Sequence, residues 1–184
     1  MPATAGPRAG RSAVFLLALV LAIVSAGCVG CESLDDQAAK LPVRDHVVAL
    51  DQVWTLGLEV QRQAGAPPTD PKGYPLGLSI QQWGCYGGWL GDQPLPGAYE
   101  VWGSADVALP LAQHRSTLTR MRDRWVADGW ADVKYGPLGT LGAVELRGSS
   151  SDGHGVSVVT NANGLSVEVR TDCFRDVDPD YEPS

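Results

Sequence analysis

The last third of the chain alternates apolar and polar residues with a period of two, which is typical of β-strands that bury one face. The segments with this pattern are residues 130–135, 141–147, 155–160 and 165–171. The turn-forming dipeptides that separate them are Gly136-Pro137, Asp152-Gly153 and Asn163-Gly164. Such short connections predict an antiparallel meander with one face on the core and the other in water.

Apolar residues recur every three or four positions in two other stretches, as expected of amphipathic helices. The first, residues 42–64, has a stripe that is apolar except at its end: Val43, Val47, Leu50, Trp54, Leu58 and Gln61. The second, residues 110–128, has Leu118, Met121, Trp125 and Val126. Pro42 suits a first helical turn, and Gly65 and Gly129 suit helix ends. With strands also expected at 78–86 and 98–107, this order predicts an α+β fold with two α-helices on one face of an antiparallel β-sheet.

The N-terminal pattern differs from both, because residues 13–26 are almost wholly apolar. Arg8 and Arg11 precede this run, and no acidic residue does. A membrane-spanning helix needs roughly 20 apolar residues. The run is shorter than that, and its basic flank is typical of a secretory signal peptide.

The sequence Ser25-Ala26-Gly27-Cys28 at the end of this run resembles the lipobox of bacterial lipoproteins. Together with the segment Thr171-x-Cys173, it is similar to short, uncharacterised lipoproteins of actinobacteria. The eleven Arg against three Lys are typical of translation from GC-rich DNA, as in that group. The resemblance implies cleavage after Gly27 and a diacylglyceryl thioether on Cys28, with palmitate-type chains holding the protein at the outer face of the cell membrane. Two acyl chains suffice for stable anchoring, whereas one does not.

Other interpretations of the same stretch stay open. Cys31 is a second candidate acceptor, although Cys28 would then occupy a lipobox position normally filled by another residue type. Ordinary signal cleavage after Ala26 or Gly30 would release a secreted protein instead. A zinc site at Cys28 and Cys31 is disfavoured, because the three histidines are scattered singly and form no second ligand pair.

The net charge limits the classes of partner. Residues 1–27 hold two Arg and no acidic residue, so their removal changes the formal net charge from −7 to about −9. An acidic chain is repelled by phosphate backbones, and we expect no nucleic-acid partner. The expected partners are the membrane, through the N-terminal lipid, and an envelope protein or a small molecule.

Export places the remaining cysteines in an oxidising compartment, where paired thiols form disulfides. If Cys28 is lipidated, Cys31, Cys85 and Cys173 allow three pairings. We favour Cys85 with Cys173, because both lie in apolar, strand-like surroundings whereas Cys31 lies in the tether. Cys31 is then an odd thiol.

Aromatic residues concentrate between positions 83 and 102. Trp83, Tyr86, Trp89 and Trp102 lie near flexible glycines and are candidates for a ligand-binding surface, since aromatic side chains commonly line such sites. The interpretation that we favour is that Trp83 and Tyr86 pack around the disulfide as part of the core, with Trp89 on a loop that covers it.

Motifs for catalysis or for metal and cofactor binding are not evident. The run from Ser149 to His154 contains Ser, Asp and His, but the members of a catalytic triad come from separate elements, so a turn is the better interpretation. Asp176, Asp178 and Asp180 copy the opening spacing of an EF-hand without its required glycine, which favours a solvated tail. We expect no catalytic residue, no metal ligand and no cofactor.

These patterns predict a signal peptide at 1–27, a lipidated tether at 28–41, one α+β domain at 42–175 and an acidic disordered tail at 176–184. The expected function is that of a membrane-anchored, non-enzymatic binding or interaction module of the cell envelope. The alternative is a secreted or anchored enzyme that acts on cell-wall or lipid substrates.

Overall fold

The computed structural model describes residues 32–67, 77–88, 90–139, 142–178 and 180–183. The predicted signal peptide, Cys28, Cys31 and Trp89 lie outside the described residues. The helices are α1 (Leu34–Ala39), α2 (His46–Gln63) and α3 (Leu111–Ala127). The strands are β1 (Ser79–Gly87), β2 (Gln93–Ala108), β3 (Ala131–Leu138), β4 (Ala143–Ser149), β5 (Gly155–Asn161), β6 (Gly164–Arg170) and β7 (Phe174–Arg175).

The strands form one antiparallel sheet in the order β1-β2-β6-β5-β4-β3, with the short β7 also paired to β2. Strands β3 to β6 follow one another as a meander, and β6 then pairs with the long β2. The α+β prediction and the C-terminal meander are therefore confirmed. Gly136 and Pro137 are the exception among the predicted turns: they lie inside β3, and the connection to β4 follows them.

One sheet face and the two long helices enclose the main core. Alternation along the strands turns Val101, Val167 and Leu146 toward this core, and all three are fully buried. Trp125 of α3 is also fully buried, stacks on Trp130 and donates its indole N–H to Gln63 Oε1 at 2.8 Å.

Helix α3 closely follows its prediction. Leu118, Met121 and Trp125 are buried and Gly129 follows the helix end with φ 77°, whereas Val126 is exposed. Glycine adopts this positive φ without a steric penalty, which explains why a glycine at this position correctly predicted the helix end.

The sheet-facing side of α2 differs from the predicted stripe. The residues that face the sheet are Ala49, Val53, Gly57 and Val60, while Val43, Val47 and Trp54 are exposed. Small side chains occupy this side of the helix because the helix lies very close to β2: a Cβ on Gly103 would lie 2.7 Å from Val53 Cγ1. The helix also begins later than expected, at His46, where the Asp45 side chain accepts the Val47 N–H at 2.8 Å.

Two segments predicted to lie outside the domain are packed against it. In the expected tether, α1 buries Ala38 against Cys85, Leu95 and Ala98. Alternation along β2 places Ala98 on the face opposite Val101, so α1 covers one end of the second sheet face.

The expectation of a disordered tail from residue 176 fails at Asp176 and Tyr181. Asp176 is buried, and Tyr181 packs against the main core. The prediction of a solvated tail was wrong because a buried carboxylate needs hydrogen-bond donors, and the sequence does not show which donors lie near Asp176. Among the described helices, none combines the length and the apolar character needed to cross a membrane.

Candidate functional site

The sheet face turned away from α2 and α3, here called the open face, carries the predicted aromatic residues. Register pairs Trp83 with Glu100 and Trp102 with Gln81, so all four point to this face. Trp83 is 48% exposed and Trp102 is 38% exposed. Cross-strand diagonal neighbours lie about 7–8 Å apart, so the two indoles are close enough to contact one ligand.

Three cationic side chains lie on the open face beyond Trp102, on strands β6, β4 and β3. Arg170 is the register partner of Trp102, and its stem lies across Gly155, whose absent Cβ would be 3.6 Å from Arg170 Cγ. Lys134 and Arg147 lie directly opposite each other on β3 and β4. Like charges in directly opposed positions of a sheet destabilise it. In the part of the chain that the structure describes, none of these three cations forms an ion pair or a side-chain hydrogen bond.

A shallow concavity of about 470 Å³ lies among these cations. Its lining also includes the carboxylates of Asp132, Glu145 and Glu168 and the hydroxyls of Ser149 and Ser157. Ser157 Oγ donates to Glu145 Oε1 at 2.9 Å. The concavity therefore offers both hydrogen-bond donors and acceptors, with a net charge near zero.

The remaining predicted site residues fall in different places. Cys85 and Cys173 form a disulfide, as the sequence predicted, and it joins β1 to the residue before β7. Tyr86 is 63% exposed but lies beyond an irregularity in β1, paired with Pro94 rather than with the Trp102 region. The expectation that Trp83 and Tyr86 are part of the core is wrong, because both side chains are exposed.

Sequence reasoning missed a second polar cluster, at the start of α2. Asp176 Oδ2 accepts hydrogen bonds from His46 N at 2.8 Å and from His46 Nδ1 at 2.9 Å, and its Oδ1 accepts from Asp178 N at 2.7 Å. Tyr181 stacks on the His46 ring with centroids 4.2 Å apart. Burial by itself raises the pKa of Asp176, but these hydrogen bonds outweigh it, and the net pKa is lowered.

This arrangement fixes the tautomer of His46. An ionised carboxylate only accepts hydrogen bonds, so Nδ1 carries the proton and Nε2 carries the lone pair in the neutral ring. The His46 side chain is about one third exposed. No signal linked positions 46 and 176 in the sequence, because they are 130 residues apart and only the pairing of Arg175 with the Pro42 region brings them together.

His154 lies buried at the turn between β4 and β5, inside the Ser149–His154 run. Both of its ring nitrogens lack a hydrogen-bond partner within the described chain, and its backbone N–H, not its ring, contacts Ser150 Oγ. Burial lowers the pKa of His154, Arg44 lowers it further, and Asp152 and Asp172 oppose the shift. The ring is thus held neutral, and the run is a structural turn with no Ser–His contact through the imidazole.

Comparison of the chain with models of protein families, with curated proteins and with solved structures found no match. Among the described residues, no group of three or more His, Cys, Asp and Glu side chains is placed to hold a metal ion.

Proposed function

We propose that this chain is a lipid-anchored, extracytoplasmic protein of the cell envelope whose domain is a non-enzymatic binding module. The anchor is the lipid expected on Cys28, and the binding surface is the open face of the sheet. The observation that carries the binding role is the row of exposed Trp83, Trp102 and Arg170 on one sheet face, which leads into the unpaired cations Lys134 and Arg147.

The position of α1 supports an arrangement close to the membrane. Helix α1 packs on the domain, and only five residues separate Cys28 from its first residue, Leu34, in the sequence. A fully extended segment of that length reaches about 20 Å. A lipid on Cys28 therefore keeps the domain near the membrane surface, where envelope components are concentrated.

Metabolic labelling tests the anchor. Cells that express the chain are grown with an alkyne-tagged palmitate, and the purified protein is examined for the label. We expect label on the native chain and on Cys31→Ala, and none on Cys28→Ala. Label that disappears only in Cys31→Ala moves the acceptor to the second cysteine, and an unlabelled native chain in the culture medium refutes the lipid anchor.

The His46–Asp176 pair favours an envelope enzyme as a second candidate function. A histidine whose Nδ1 is held by a buried carboxylate presents Nε2 as a general base. No Ser, Thr or Cys of the described residues hydrogen-bonds to His46, so the base would act on a bound water. Hydrolysis of cell-wall fragments or phospholipids by the native chain that His46→Gln abolishes, with unchanged thermal stability, would support this candidate over the binding module.

A further inference from the structure

We infer that the open face binds a carboxylate-bearing oligosaccharide, laid across the strands from Trp102 toward Lys134. This inference rests on the proposed binding function and names its ligand class. Three features of the open face carry it: the unpaired cations, the mixture of hydroxyls and carboxylates around them, and the exposed indoles beside them.

The cations of the open face are suited to bind an anionic group of the ligand. Lys134 and Arg147 face each other across a strand pair, and an anion between them would relieve their mutual repulsion. Elsewhere in the described chain, Arg62, Arg122 and Arg124 each lie within 4 Å of a carboxylate. Among the described residues, no carboxylate oxygen lies within 4 Å of Lys134, Arg147 or Arg170, although three carboxylates line the same concavity.

The carboxylates around these cations restrict the class of ligand further. Glu145, Glu168 and Asp132 lie in the same concavity and would repel a densely charged polymer such as a nucleic acid. Carboxylates accept hydrogen bonds, and serine hydroxyls both donate and accept them, which suits a ligand rich in hydroxyl groups. A chain of sugar rings with separated carboxylates satisfies both the cations and these acceptors.

The indoles supply the contact for the sugar rings. Trp102 is exposed next to Arg170, and Trp83 lies diagonally across from Trp102. Ring faces of this kind pack against apolar faces of a ligand. Four strand spacings separate β2 from β3, or about 19 Å, which matches an oligosaccharide better than a single sugar.

The test compares two probes that differ only in charge: an oligomer of galacturonic acid and the same oligomer with its carboxylates methyl-esterified. Binding to the full chain in detergent is measured by titration calorimetry at low and at moderate salt. We expect the acid form to bind about tenfold more tightly than the ester, since charge-assisted hydrogen bonds are lost on esterification. Added salt should weaken the acid form only.

Variants assign the contacts. Lys134→Gln and Arg147→Gln should each weaken the acid form about fivefold or more and leave the ester unchanged. Trp102→Ala should weaken both probes. Arg115→Gln is the matched control, because Arg115 is an exposed cation on α3, on the other side of the domain, and its loss should change neither affinity. Thermal melting of each variant checks that the domain is folded.

Several outcomes would overturn the inference. Equal affinity for acid and ester would remove the role of the cations. Binding that Arg115→Gln weakens as much as Arg147→Gln would make it a general charge effect. If neither probe binds a folded chain that is labelled with palmitate on Cys28, the saccharide inference fails while the proposed anchoring stands. An unlabelled chain that binds the acid form would leave the ligand class intact and refute the anchor.

Discussion

Replacing both bridging cysteines, Cys85→Ala and Cys173→Ala, removes the covalent link between β1 and the segment that precedes β7. The link closes a loop of 88 residues. In the native fold it also sits in the small cluster that Ala38 of α1 shares with Cys85. Alanine is the suitable replacement because Cys85 is buried among apolar side chains and a polar substitute would be left without a partner.

The loop length sets the expected size of the effect. In the chain-entropy model, closing a loop of 88 residues restricts the unfolded chain by about 4.5 kcal/mol at 25 °C. One kcal/mol shifts the melting temperature of a domain of this size by roughly 2–4 °C. We therefore expect the double variant to lose about 4 kcal/mol of unfolding free energy and roughly 10–15 °C of melting temperature.

Urea unfolding followed by tryptophan fluorescence measures this difference. Both proteins also carry Cys28→Ser and Cys31→Ser, so that no unpaired thiol exchanges with the bridge. Reduction of the bridge in the otherwise unchanged protein should give the same loss as the double variant. A loss below about 1 kcal/mol in both experiments would refute the reasoning, because it would mean that the bridge hardly restricts the unfolded chain.

Three further predictions concern buried polar groups and one glycine. Burial lowers the pKa of His154 below its ordinary 6.5. The free energy of unfolding should therefore be highest above about pH 6.5 and should fall as the pH drops through that value, because the unfolded state then binds the proton more readily. Urea titrations between pH 5 and 8 check this. In the native chain, three N–H groups donate to the buried Asp176 carboxylate. Asp176→Asn replaces that carboxylate with a neutral amide, which is a weaker acceptor and carries a donor of its own, and should lower the free energy of unfolding by about 2 kcal/mol or more. Gly164→Ala should cost about 2 kcal/mol or more, because a backbone carbonyl of β2 occupies the place of the new Cβ.

Each of these predictions has a matched control. His154→Phe should remove the loss of stability below pH 6.5, and an unchanged pH profile would show that another group causes it. Asp178→Asn changes an exposed carboxylate and should cost less than about 0.5 kcal/mol; a cost equal to that of Asp176→Asn would contradict the buried-acceptor argument. Gly136→Ala enters open space and should be nearly neutral, so a large effect there would indicate a general penalty for alanine in strands.

The lowered pKa of Asp176 adds a second, more acidic component to the pH dependence. Its stabilisation is present above its ordinary pKa of about 3.8 and is lost as the pH falls through its lower folded value. Asp176→Asn should therefore flatten the stability profile below about pH 4 while leaving the loss that begins near pH 6.5. This separation distinguishes the carboxylate from His154 in one set of titrations.

Local patterns predicted most of the regular structure. The two-residue period identified β4, β5 and β6, because side chains of a half-buried strand must alternate between core and water. The turn-forming dipeptides located the turn at 152–153 and, within one residue, the turn at 162–163. The bridge between Cys85 and Cys173 was also within reach, since both residues lie in apolar strand-like segments. These features depend on neighbours in sequence or on the chemistry of a few residue types.

The predictions that failed depended on distance between elements. Large apolar residues were assigned to the buried side of α2, but the close approach at Gly103 admits only small ones. A polar segment was assigned to a tether, although Ala38 packs beside the disulfide. Nothing in a single sequence reports how near two elements lie, so a helix face cannot be chosen by hydrophobicity alone.

By itself, the sequence determined the strand and helix periods and the acidic balance, and it predicts an export and lipid signal at Cys28. Only the tertiary structure decided which distant residues share a surface: the sheet order brings Trp102, Arg170, Arg147 and Lys134 onto one face. It also decided that Asp176 is a buried acceptor for His46 and no part of a solvated tail. The physical reason is the same in both cases, since strand pairing joins residues that are far apart in the chain, and local preference carries no information about that pairing.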